Sequence, residues 1–128
     1  MAVTRTIKGT FDKLAVNAGS EITFLGPTTI GNVGDLTRAF RITPANTGDI
    51  IVKIDKSYGL IQMEIFQEDA YNAGSAPTGY KKVANIFKDG KDKGVVAITV
   101  TNATKKYIVL MDFDTYTSAS YNGSVTIP

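Results

Sequence analysis

The sequence has no cysteine, no histidine and no tryptophan. Lacking Cys and His, it can build no thiol nucleophile, no Ser-His-Asp relay, no dithiol redox pair and no imidazole or thiolate metal site. Carboxylates, hydroxyls and lysines are the chemistry that remains. The expectation is a non-enzymatic protein with no resident cofactor, calcium being the one ion its oxygen ligands could hold. Without Cys, no disulfide can form in any compartment, so the redox environment is not legible. Without Trp, a chain this short has little with which to wall a saccharide cleft, and this counts against a small glycosidase.

Charge of one sign is also missing. Fourteen Lys and Arg are set against 12 Asp and Glu, for a formal net charge of +2. The densest basic run, Lys88-Asp89-Gly90-Lys91-Asp92-Lys93, nearly cancels itself, and Lys81-Lys82 stands alone. Nucleic-acid binders gather their cations on one face with aromatics between them, so no nucleic-acid partner is expected. The opening MAVTRTIKGTFDKL has no apolar run after its first basic residue and reads as neither a secretory signal nor a membrane anchor. The corresponding expectation is no membrane partner and a chain made and assembled in a cytoplasm, with both terminal segments packed.

What is present is apolar content in short alternating runs. The 128 residues are 43% hydrophobic, enough for one core and a single domain over 1–128. No window holds a 3.6-residue apolar period, whereas period-two alternation recurs between turn clusters, the pattern of an antiparallel sandwich or barrel. Ile22 and Phe24 point one way; Phe40 and Ile42 share a face with Arg38. Ile50, Val52 and Ile54 are predicted inward, followed by Ile61, Met63 and Ile65, the two runs forming a meander. VVAITV (95–100) is apolar on both faces and reads as a central strand. YIVLMDFD and YNGSVTIP read as a closing hairpin with Tyr121, Val125 and Ile127 inside. GPTTIGNVGD and EDAYNAGSAPTGY are long loops. The fold class predicted is all-β: a two-sheet antiparallel sandwich, jelly-roll or immunoglobulin-like, of eight to nine strands.

Two groups of residues could form a site. Asp112 and Asp114 share a strand face about 7 Å apart, which would suit calcium if loop oxygens from Asp69, Asn72, Asp89 or Asp92 joined them; the bland reading is a solvated strand edge that deters edge-to-edge pairing. Tyr71, Tyr80 and Tyr116 fall on predicted loops and could contact a ligand, or pack down over the sheet ends. Asn102-Ala103-Thr104 and Asn122-Gly123-Ser124 match the glycosylation acceptor pattern and are read as turn chemistry.

From about residue 36 onward, FRITPANTGDIIVKID and YIVLMDFDTYTSASYNGSVTI resemble the strand order of pre-peptidase C-terminal-like β-sandwich surface modules. That resemblance implies a non-catalytic domain that binds surfaces or calcium. TRAFRITPANTGDI is similar to the early strands of camelysin-like filament proteins. By architecture the chain also looks like capsid decoration or fibre proteins of tailed phages. The expectation that follows is a structural subunit docking to itself or to a larger protein lattice on a virion, with the N-terminal AVTRTIKG available for strand addition to a neighbour. The alternative is an extracellular filament subunit, or a cell-surface module that binds carbohydrate or another surface polymer.

Overall fold

The computed structural model describes residues 2–10, 13–16, 20–26, 37–58, 61–69, 81–82, 94–113 and 120–128. These form β1 (Val3–Thr10), β2 (Lys13–Val16), β3 (Ile22–Gly26), β4 (Thr37–Ile42), β5 (Gly48–Tyr58), β6 (Ile61–Gln67), β7 (Lys81–Lys82), β8 (Gly94–Val100), β9 (Tyr107–Phe113) and β10 (Ser120–Ile127). The strands make two five-stranded sheets, A in the order β2-β1-β10-β5-β8 and B in the order β3-β4-β9-β6-β7. The two sheets pack face to face as the predicted antiparallel sandwich.

The pairings nest. β1 pairs with β10, β4 with β9, β5 with β8 and β6 with β7, all antiparallel. Successive pairs alternate between sheet A and sheet B. This is a two-stranded ribbon rolled up on itself, so the sandwich is a jelly roll and not immunoglobulin-like. Rolling brings the inward faces of all the pairs together. Ile50, Val52, Ile54, Ile61, Met63, Ile65, Tyr121, Val125 and Ile127 are all buried in one cluster, as the alternation predicts.

Nesting overturns two expected neighbourhoods. β5 and β6 are no meander, and β9 and β10 are no hairpin: each consecutive pair divides between opposite sheets. Alternation of side chains tells which face of a strand points in, and it reads the same whether the next strand lies alongside or crosses over. A third correction concerns VVAITV. β8 is an edge strand of sheet A, with Val96, Ile98 and Val100 inward and Val95 48% exposed on the other face. The two-sided strand is β9, at the centre of sheet B. Its inner face contributes Tyr107, Val109, Met111 and Phe113 to the main core, while Ile108 and Leu110 on the outer face join Ala39 and Phe66 in a second buried cluster.

The terminal strands hold each other, β1 and β10 being in register from Val3↔Ile127 to Thr10↔Ser120. β2 pairs with the second half of β1, Ile7–Thr10, while Val3–Thr6 is held through β10; the N-terminal segment is thus a strand of its own sheet and not a free donor strand. Asn122-Gly123, read from sequence as a turn, lies inside β10 where the register against β5 shifts. The bulge presses Gly123 so close to β5 that a Cβ there would sit 2.0 Å from the Lys53 carbonyl oxygen. Glycine is required by that approach.

Candidate functional site

Asp112 lies on the outer face of β9, half-buried, at the register position of Thr37 on one side and Gln62 on the other. It is therefore on the central strand of sheet B, and the edge-strand reading of this residue fails. On that face Leu110 is buried and Asp112 half-buried, so the two-sided core of β9 ends between them. Asp114, Tyr71, Tyr80 and Tyr116 lie outside the described residues. Asp69, bracketed with Asp112 as a calcium ligand, stands beyond the opposite end of β9, because Gln67 pairs with Tyr107 while Gln62 pairs with Asp112. Five strand residues separate those positions by roughly 17 Å, too far for one cation. Among the described residues no group of three or more acidic side chains could hold a metal.

The cleft formed by described residues is at that other end. β6 runs out into Glu68 and Asp69, β9 is entered through Thr104, Lys105 and Lys106, and these five residues line an open cavity of about 260 Å³. The β6–β9 pairing brings the segments together, and the Glu68 amide extends it by donating to the Lys106 carbonyl at 2.9 Å. The Asn102 turn shapes the second wall. Its side-chain oxygen accepts from the Thr104 amide at 3.0 Å and from the Thr104 hydroxyl at 2.7 Å, and its carbonyl accepts from the Lys105 amide at 3.1 Å. Asn side chains form such turns because they mimic a backbone carbonyl.

Charge in the cleft is arranged in pairs. Lys105 Nζ lies 2.8 Å from Asp69 Oδ2, and Gln67 Nε2 donates to Asp69 Oδ1 at 2.6 Å. Arg41 Nε donates to Glu68 Oε1 at 2.8 Å on the sheet B side. The hydrogen bond to Asp69 and then its charge raise the Lys105 pKa, so the ammonium stays protonated and acts as a donor, not a nucleophile. Burial, followed by the Asp69 charge, raises the pKa of the Tyr107 phenol, with Lys105 opposing. The Lys105 and Asp69 side chains remain 41% and 52% exposed, so a cation and an anion stand side by side, open to an incoming ligand.

A second polar contact ties the sheets together. Arg5 of β1 reaches Glu21, just ahead of β3, at 2.7 Å. Arg5 Nε and Glu21 Oε2 are buried there with no hydrogen-bond partner.

Sequence reasoning singled out Asp69 but missed Gln67, Thr104 and Lys105. In the chain they are two unremarkable polar turns, and the pairing of β6 with β9 is what makes them one site.

No family model and no curated protein matches the sequence. Among solved structures the chain is similar to a "Carbohydrate binding module family29", with 12% identity and a TM-score of 0.44 over 99% of this chain and 88% of that one. It is similar to chitosan-binding module 1 from a chitosanase/glucanase of Paenibacillus sp. IK-5, with 16% identity and a TM-score of 0.32 over 72% of this chain and 68% of that one. It is also similar to CBM29_1, a family 29 carbohydrate-binding module from Piromyces equi, with 15% identity and a TM-score of 0.30 over 99% of this chain and 91% of that one. At these identities and scores no residue role passes from those proteins to this one.

Proposed function

We propose that this chain is a non-catalytic carbohydrate-binding β-sandwich module of an extracellular or cell-surface protein, and that the Asp69–Lys105 cleft holds a unit of a polysaccharide. The observation that carries the reading is the exposed Lys105–Asp69 pair at 2.8 Å. A sugar hydroxyl both donates and accepts. An ammonium next to a carboxylate serves both functions, and a charged partner makes each bond stronger than a neutral one. Lys106 adds a donor at the rim, and the Thr104 hydroxyl, its proton already given to Asn102, adds an acceptor. The volume, about 260 Å³, is below the roughly 300 Å³ at which drug-sized sites begin and suits a single ring held at a surface.

The similar solved structures are titled for carbohydrate and chitosan binding; the reading here rests on the cleft. A virion or filament role draws no support from the cleft or from those structures. The test is affinity electrophoresis against neutral, acidic and amino-sugar polysaccharides. The wild type is expected to be retarded by at least one polymer, and Asp69→Ala and Lys105→Ala to migrate freely at unchanged melting temperature, since solvent screens an exposed ion pair and leaves it little effect on stability. Free migration of the wild type in every polymer, or full retardation of both variants, would sink the proposal.

A further inference from the structure

Four strands bound the two sheets, β2 and β8 in sheet A and β3 and β7 in sheet B. An unpaired edge offers backbone donors and acceptors to any passing strand, and proteins blunt such edges with short strands, charge, proline or bulges. β7 is two residues long and both are lysines. β2 is four residues long and begins with Lys13. The pairing of β3 with β4 is interrupted by a bulge between Phe24 and Gly26. β8 has none of these devices. GVVAITV is seven residues long, with no charge and no proline, and pairs with β5 in unbroken register from Gly48↔Val100 to Ile54↔Gly94. Among the described residues, nothing pairs with its other edge.

We propose that the edge of β8 with which no described residue pairs is the seam of a homodimer, two copies joining antiparallel about Ala97 so that their sheets A become one continuous sheet. The strand is self-complementary about that centre. Ala97 faces its own copy, and Val95 faces Thr99 of the partner subunit. No like charges meet within the seam, because the strand carries none. The outer face supports the same occupant: Val95 is 48% exposed and Ile51 36%, and Ile51 is the β5 neighbour of Ala97. A two-fold seam lines up Ile51, Ala97 and the same two residues of the partner subunit in one apolar row across the joined sheet. An edge-to-edge seam falls short of the roughly 1,000 Å² of a permanent interface, so the dimer exchanges with monomer as concentration changes.

The test is sedimentation equilibrium over a wide concentration range, with hydrogen exchange of the β8 amides on the same samples. The wild type should approach twice the monomer mass as concentration rises, and its β8 amides should exchange more slowly in step. Val95→Lys/Thr99→Lys puts lysine against lysine across the seam and should remain monomeric. Val95→Glu/Thr99→Lys puts unlike charges at the same positions and should dimerise again, in a salt-sensitive way. Circular dichroism confirms that each variant is folded, and should the double-lysine variant unfold, the wild-type exchange series decides. A wild type that stays monomeric with β8 exchange independent of concentration, a dimer indifferent to the double lysine, or growth beyond a dimer would each overturn the proposal.

Discussion

Tyr121 gives the sharpest test of the packing. Its side chain is 1% exposed, its ring lies 6.2 Å from that of Phe113, and its hydroxyl has no hydrogen-bond partner among the described residues. An unpaired buried hydroxyl costs about 1–3 kcal/mol. Replacing Tyr121 with Phe removes that cost and leaves a void of roughly 10–15 Å³, worth about 0.3 kcal/mol. Tyr121→Phe should therefore be more stable by about 1–2 kcal/mol at neutral pH, a rise in melting temperature of about 3–8 °C. A second effect follows from titration. Burial raises the Tyr121 phenol above its ordinary 10.0, so in alkaline solution the unfolded chain loses this proton before the folded one does. With more protons bound to the native state, stability falls as pH rises above 10 and continues to fall until the folded group itself ionises, by up to about 1.4 kcal/mol per pH unit. The phenylalanine variant lacks this loss, so its advantage should widen steadily above pH 10. Thermal melts by circular dichroism at neutral pH and urea titrations through the alkaline range measure both. A variant destabilised at neutral pH, or one whose alkaline decline runs parallel to the wild type, would refute the reasoning.

Gly123→Ala drives a methyl into the Lys53 carbonyl of the neighbouring strand and should cost about 3 kcal/mol or more in a urea titration, against about 0.5 kcal/mol or less for an ordinary surface change. The Arg5 hydrogen bond holds the Glu21 carboxyl below its ordinary 4.5, so the stabilisation is complete above that value and is lost as pH falls through the folded pKa. Glu21→Gln should thus lower the urea midpoint at neutral pH and converge on the wild type in acid; a constant gap across the titration would exclude the pair as the cause. Ile108→Ala should cost about 2–5 kcal/mol even though Ile108 is on the outer face of sheet B, and a loss below 1 kcal/mol would mean that this face is not packed.

Which residues face inward was legible wherever apolar and polar residues alternate, but not in β8, where Val95 is exposed. Ile50, Val52 and Ile54, then Ile61, Met63 and Ile65, alternate in the sequence and are all buried. Even the change of character along β9, apolar on both faces up to Leu110 and polar at Asp112, is visible in the chain. The candidate site was far less legible. Asp69 is named readily as an acidic loop residue, but its contact with Lys105 depends on segments more than 30 residues apart meeting at the end of one strand pair.

The sequence by itself determined the all-β class and the inward face of the alternating strands, though not of the uniformly apolar β8, because side-chain alternation is a local property of extended backbone and needs no partner. Tertiary structure alone decided who neighbours whom. It put β8 at an edge and β9 at a centre, sent β5 and β6 to opposite sheets, and made a jelly roll of a pattern that an immunoglobulin-like sandwich would share. Strand pairing is settled by burial summed over the whole ribbon, and every nested pair must close before that sum is complete.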